Sequence, residues 1–185
     1  MYSENSRERI LDAAEELYYA KGYAAVGMDE LRAAAGVSLK RVYALFPSKN
    51  DIIKAVLERK HDEWESMLTG AVTAAGDDPR ARLLAVYDFL QSWFSTDDFR
   101  GCAFINAFGE LGGTVPEVAQ IVREHKESFQ EYMAQLVAET GAPAVLAAQL
   151  SILAEGAQST AAISADPLVA VQARGAAEVL IAATV

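Results

Sequence analysis

The chain has 185 residues, enough for one sizeable core or for a small module joined to a larger one. At 52% hydrophobic residues it lies far from a disordered composition, and no apolar run reaches the roughly 18 residues of a membrane span. The net charge is −10, which at first sight disfavours a nucleic-acid partner.

The most apolar stretch, Ala142–Ala154, is broken by Gln149 and Ser151. The run Met1-Tyr-Ser-Glu-Asn-Ser-Arg7 leads into a charged amphipathic pattern, so no signal peptide is expected. Cys102 is the single cysteine, which excludes an intrachain disulfide and a thiolate metal cluster. A cytoplasmic location and no membrane association are expected. The charge is unevenly spread. Residues 1–60 carry ten Lys/Arg against nine Asp/Glu, and residues 61–185 carry six against seventeen. A near-neutral amino-terminal part can still present a basic face to phosphates.

Apolar spacing is helical throughout, which predicts an all-α fold of about nine helices. Ile10, Leu11, Ala14, Leu17 and Tyr18 form the first stripe, ended by Gly22. A short helix is expected at about Met28–Ala35, closed by Gly36. Another follows Ser38 and must stop before Pro47, because a residue preceding proline disfavours the helical region. Ser48 and Asp51 resemble a capping box that opens a long fourth helix through Ile52, Val56, Trp64 and Met67. Asp78-Pro79 starts a helix running to about Ser95. A shorter one lies within Phe99–Gly113. Thr114 and Glu117 suggest a second capping box, ahead of a helix with Val118, Ile121, Val122, His125, Phe129, Tyr132, Met133, Leu136 and Val137 on one stripe. Two last helices are expected at about Ala142–Ser164 and Pro167–Ala183. The modules divide as 1–50 and 51–185, with the junction inside the fourth helix.

Two short helices around Gly36-Val37-Ser38 make a helix-turn-helix, a geometry that can seat its second helix in a major groove. Within Leu39–Leu45, Val42 and Leu45 are the inward residues, with Phe46 beneath. Lys40, Arg41, Tyr43 and Ala44 are left for solvent or DNA. Lys40 and Arg41 occupy the first turn, the part that reaches base edges. Lys49 and Lys54 follow where they can hold phosphates.

The ordered elements Ile10-Leu-Asp-Ala-Ala-Glu-Glu-Leu17, Lys21-Gly-Tyr23, Met28-Asp-Glu-Leu31, Ala35-Gly-Val-Ser38 and Tyr43-Ala-Leu-Phe-Pro-Ser-Lys49 resemble the amino-terminal signature of the tetracycline-repressor (TetR) family. Arg100-Gly-Cys-Ala-Phe-Ile-Asn106 resembles a segment common in many members. Lys40 departs from the pattern where glycine is frequent. Arg32 departs where a small residue is usual, and its stem is expected to lean across the surface. The resemblance implies a DNA-binding set of Ser38, Lys40, Arg41, Tyr43, Ala44 and Lys49, with Tyr43 and Lys49 on phosphate and Lys40 and Arg41 on bases or backbone. It further implies a dimeric repressor of a palindromic double-stranded operator, released by a small-molecule inducer of partly apolar character, with no cofactor.

Beyond residue 60, Trp64, Met67, Tyr87, Phe89, Trp93, Phe94, Phe104, Phe108, Phe129, Tyr132 and Met133 are expected to be buried. Core packing explains most of them. Under the resemblance, Trp64, Met67, Phe89, Trp93, Phe104 and Phe129 line an inducer cavity, with Asn106, His125, Gln149, Glu155 and Gln158 as its polar groups. His125 is either a satisfied core histidine or a ligand contact. Glu155 is exposed, paired, or kept for a cationic ligand, since an unpaired buried carboxylate is costly. The last two helices are apolar on more than one face, which asks for a homodimeric bundle or for burial within the chain itself.

An enzyme is not expected. His61 and His125 are the only histidines, and HExxH, GxSxG, P-loop and GxGxxG motifs are absent. The group His61, Asp62, Glu63 reads as a solvated helix face. The competing readings are a helical interaction module without DNA binding and an activator of the same fold.

Overall fold

The computed structural model describes residues 2–184, with side chains described from residue 5. Residues 1 and 185, the outer ends of the two expected modules, lie outside them. Among the described residues there are nine helices and no strand. They are α1 (Tyr2–Lys21), α2 (Met28–Ala35), α3 (Leu39–Leu45), α4 (Lys49–Ala74), α5 (Pro79–Phe94), α6 (Ala103–Leu111), α7 (Pro116–Thr140), α8 (Val145–Ser164) and α9 (Leu168–Ala182).

Two compact units emerge. One holds the chain up to Asp62 together with Ala103–Arg123; the other holds Glu63–Cys102 and everything from Glu124. The division cuts α4 between Asp62 and Glu63, further along than residue 50, and sends α6 to the amino-terminal unit. Sequence order hides that grouping, because α6 reaches the turn after α1 through contacts some 80 residues apart.

In the first unit α1, α2 and α3 pack on one another around Ile10, Leu11, Ala14, Leu31, Ala35 and Val42. The stripe on α1 is slightly rotated from the expected one: Ala13 is buried and Leu17 only half-buried. Gly36 ends α2 in the left-handed region, at φ 63°. A side chain there would suffer twice. The backbone conformation costs a non-glycine residue about 1–2 kcal/mol, and an added Cβ would displace Nη2 of Arg9. That guanidinium donates to the Gly36 carbonyl at 3.0 Å and pins the turn to α1. Gly36→Ala is therefore expected to lower stability by about 1–3 kcal/mol, read as a reduced denaturant midpoint at unchanged slope.

Ser38 caps α3, its hydroxyl accepting from the Arg41 amide at 3.2 Å. Asp51 serves the capping box as glutamate would: its Oδ2 accepts from the Ser48 amide at 2.8 Å, and Ser48 Oγ accepts from the Asp51 amide at 3.3 Å. The second expected box does not form. Thr114 instead donates to the Leu111 carbonyl behind it, and α7 starts one residue later behind Val115. Pro116 decides this, because its fixed φ suits the first helical position.

The second unit is built around α5. Leu83, Leu84, Ala85, Val86, Tyr87, Leu90 and Phe94 are all buried, so the middle of this helix is covered on every side, while Asp88, Gln91 and Ser92 face solvent. Asp78 caps it through the Arg80 and Ala81 amides. The Tyr87 hydroxyl donates to the Leu150 carbonyl at 2.8 Å, which satisfies the polar end of a fully buried ring. On α9 the buried face is Ala170, Ala173, Ala177 and Ile181. Small side chains there let α9 lie close against both α5 and α8. Met67 and Phe108, expected inside, are 55% and 47% exposed. On α4 and α6 the apolar residues exceed what one helix face can bury.

Candidate nucleic-acid interface and ligand cavity

The order of α3 sorts its side chains. Val42 is fully buried and Leu45 half-buried, with Phe46 buried beneath. Lys40, Tyr43 and Ala44 are exposed, and Arg41 is half-buried. Ser38 is exposed and is held as the cap. The turn Gly36–Ser38 and the cap thus present a short helix whose outer face carries two cations and a phenol. No acidic residue lies in its first turn.

Lys49 stands apart from that face in being tied down. Its amine donates to the Ala24 carbonyl at 3.2 Å and sits 5.9 Å from the centre of the Tyr18 ring. Burial holds this amine below the ordinary lysine range, and the Glu110 carboxylate opposes that shift. An ammonium has three donors, so the Ala24 bond leaves others for a phosphate. Arg32 pairs with Asp29 one turn back, Nε to Oδ1 at 2.8 Å. Its charge is answered within α2, and the helix keeps its regular form.

Two positioning residues escape a local reading of the sequence. Arg9 holds the Gly36 carbonyl, and Glu110 accepts from the amides of Tyr23 and Ala24. Neither belongs to the helix-turn-helix. Their partners are 27 and 86–87 residues away, and only the fold brings them together.

Four of the residues expected at a ligand cavity meet in the second unit. Trp64 packs edge-on against His125 at 5.1 Å, Phe129 at 5.3 Å and Phe89 at 6.1 Å between ring centres. His125 is 4% exposed. Gln158 is buried on α8, as is Ser151. Glu155 is paired, its Oε2 2.7 Å from the Lys126 amine, which also lies 3.5 Å from Cys102 Sγ. Trp93 belongs to a separate aromatic group with Phe94 and Phe99. Phe104 and Asn106 fall in the first unit. Met67 and Gln149 are exposed.

A cleft of about 160 Å³ in the second unit is lined by Trp64, Glu65, Leu68, Thr69, Ser128, Glu131, Tyr132 and Gln135. Trp64 alone of the expected set borders it. Its volume falls below the roughly 300 Å³ at which ligand pockets begin.

Residues 10–56 match the family profile described as bacterial regulatory proteins, tetR family. The chain is 33% identical over 134 residues to the HTH-type transcriptional activator FasR of Mycolicibacterium smegmatis, an overlap of 71% of this chain and 58% of FasR. It is 28% identical over 108 residues to the HTH-type transcriptional repressor NemR of Escherichia coli K12, covering 58% of this chain and 54% of NemR. The chain thus matches little more than half the length of either relative. SCO4454, a TetR-family transcriptional regulator from Streptomyces coelicolor, superposes on 96% of the chain and 88% of its own, with a TM-score of 0.89 and 28% identity. The reduced form of E. coli NemR has the same fold, with a TM-score of 0.83 at 24% identity. With residues 10–56 matching that profile and a fold shared along nearly its whole length with a TetR-family regulator, the chain carries the amino-terminal domain and the fold of the TetR family of bacterial regulatory proteins.

Proposed function

We propose that the chain is a cytoplasmic transcriptional regulator that grips a palindromic duplex as a homodimer and is released by a small, partly apolar molecule. The observation that carries this is the outer face of α3, where Lys40, Tyr43 and Ala44 are exposed and Arg41 is half-exposed, outside a core closed by Val42 and Phe46. The first turn of α3 reaches base edges through Arg41 and Lys40, while Tyr43 and Lys49 hold the sugar-phosphate backbone. Ser38 fixes where that turn begins.

The ligand site is proposed around Trp64, Phe89, His125 and Phe129, with Glu155 and Gln158 as polar groups. Met67 and Gln149 leave the set because solvent already covers them. The neighbouring cleft is too small for a drug-sized molecule, and opening of the aromatic group would enlarge it. A ligand that favours the opened arrangement over the DNA-bound one lowers operator affinity by its difference in affinity for the two. Repression follows where the bound site overlaps a promoter. Activation is the second reading, supported by the likeness to the activator FasR.

Selection of duplexes from a random pool tests this. A palindromic consensus is expected, its half-sites centred about one helical turn apart. Failure to enrich any duplex at low salt overturns it and favours an interaction module without DNA binding.

A further inference from the structure

We infer that Glu110 is a positioning residue for the DNA-reading helices, acting as an anion seated in a backbone cradle. This rests on the DNA-binding role proposed above. The cradle is the turn between α1 and α2. Gly22 turns the chain at φ +89°, and the next two amides, of Tyr23 and Ala24, point to one side. Successive amides arranged in this way form a concavity that binds anions. Glu110, near the end of α6, fills it. Oε1 accepts from Tyr23 at 3.1 Å and Oε2 from Ala24 at 2.8 Å.

Three further observations make the contact a built one. A Cβ on Gly22 would lie 2.8 Å from Glu110 Oε1, so this glycine serves the close approach as well as the turn. The Tyr23 hydroxyl donates to the Ala103 carbonyl at 3.2 Å, which ties the other end of α6 to the same turn. Ala24 presents its carbonyl to Lys49, so both backbone polar groups of this residue are spoken for. The turn that aims α2 and α3 is therefore set at one side by α6 and at the other by α4. Charge-assisted hydrogen bonds to two backbone donors are strong enough to hold it there.

The sign of the effect separates this role from plain electrostatics. Removing a carboxylate from a DNA-binding unit ought to tighten its hold on any duplex. Loss of a positioning group weakens only the duplex that needs the helices in register. The test uses a duplex selected on the wild type and a scrambled duplex, with wild type, Glu110→Gln and Glu110→Asp. Gln keeps the shape and loses the charge; Asp keeps the charge and retracts it. In both variants the Tyr23 and Ala24 amides are expected to exchange at least tenfold faster by NMR. The selected duplex is expected to bind about tenfold more weakly in anisotropy titrations, and the scrambled duplex no more weakly than before. An unchanged ratio of selected to scrambled affinity in a folded variant overturns the proposal, even where thermal stability falls. The wild type supplies an independent arm. If its Tyr23 and Ala24 amides lose protection on binding the selected duplex, the cradle is open in the reading state and the proposal fails. Failure of the wild type to select any duplex would strike the DNA-binding role itself, a result distinct from either.

Discussion

Replacing Arg41 and Tyr43 together with alanine is expected to lower affinity for the selected duplex by at least a hundredfold. The magnitude follows from symmetry. Each good base contact is worth about 1–3 kcal/mol, and the proposed homodimer loses every contact twice. Both side chains lie on the outer face of α3, so neither substitution opens a cavity. Val42, Phe46 and the Ser38 cap remain, and stability should shift by no more than about 0.5 kcal/mol, as for surface changes generally. The two single variants separate the roles. Loss of a phosphate contact flattens the dependence of log affinity on log salt by about 0.9 per phosphate, while loss of a base contact lowers affinity at one sequence position and leaves the slope. Tyr43→Ala is expected to flatten the slope, and Arg41→Ala to relax preference within each half-site. Unchanged affinity in folded variants would remove α3 from the interface.

The ease with which this motif reads from the sequence has a physical reason. The signals that start and stop α2 and α3 are local: a left-handed glycine, a serine cap three residues before the amide it serves, and an apolar residue every turn. Ser48 and Asp51 are local as well, and the start of α4 was equally legible. What stayed hidden depends on distance along the chain. Arg9 meets Gly36, and Glu110 meets Tyr23 and Ala24, across separations that no periodicity encodes. Pattern reasoning erred where two local signals competed. At the start of α7 both Thr114 and Pro116 are initiation signals, and the proline fixed the first turn. It also erred where apolar content outran the available core. Met67 and Phe108 sit on helices with helical spacing, yet solvent covers about half of each. The ligand residues were legible only as a list. That Trp64, Phe89, His125 and Phe129 form one cluster, while Trp93 joins Phe94 and Phe99, follows from how α4, α5 and α7 pack.

Ile152→Asp and Val179→Asp are each expected to convert the proposed homodimer into folded monomers and to abolish cooperative binding of a palindrome. The argument begins with what α8 and α9 leave uncovered. Val145, Ile152 and Ile163 are 60%, 72% and 87% exposed. Separations of 7 and 11 residues return a helix to nearly the same face, so these three share one stripe. On α9, Leu168 and Val179 are 61% and 69% exposed and again 11 residues apart. The opposite faces of both helices are buried in the second unit, at Leu146, Leu150, Ala154 and Ala161 and at Ala170, Ala173, Ala177 and Ile181. Burial within the chain therefore accounts for half of each helix. The outward half carries these large apolar side chains beside Gln149, Thr160 and Gln172, the form of an isologous interface in which each patch meets its own copy. Aspartate at either position costs an isolated chain little, since the side chain is already in water. In the dimer each substitution enters twice and buries two like charges without partners, which costs several kcal/mol. Sedimentation velocity should show the monomer mass, circular dichroism an unchanged helix content, and titration with the selected duplex an affinity reduced at least a hundredfold. A variant that still sediments as a dimer would place the interface elsewhere, and a monomer that holds the palindrome as tightly as before would separate dimerisation from DNA reading.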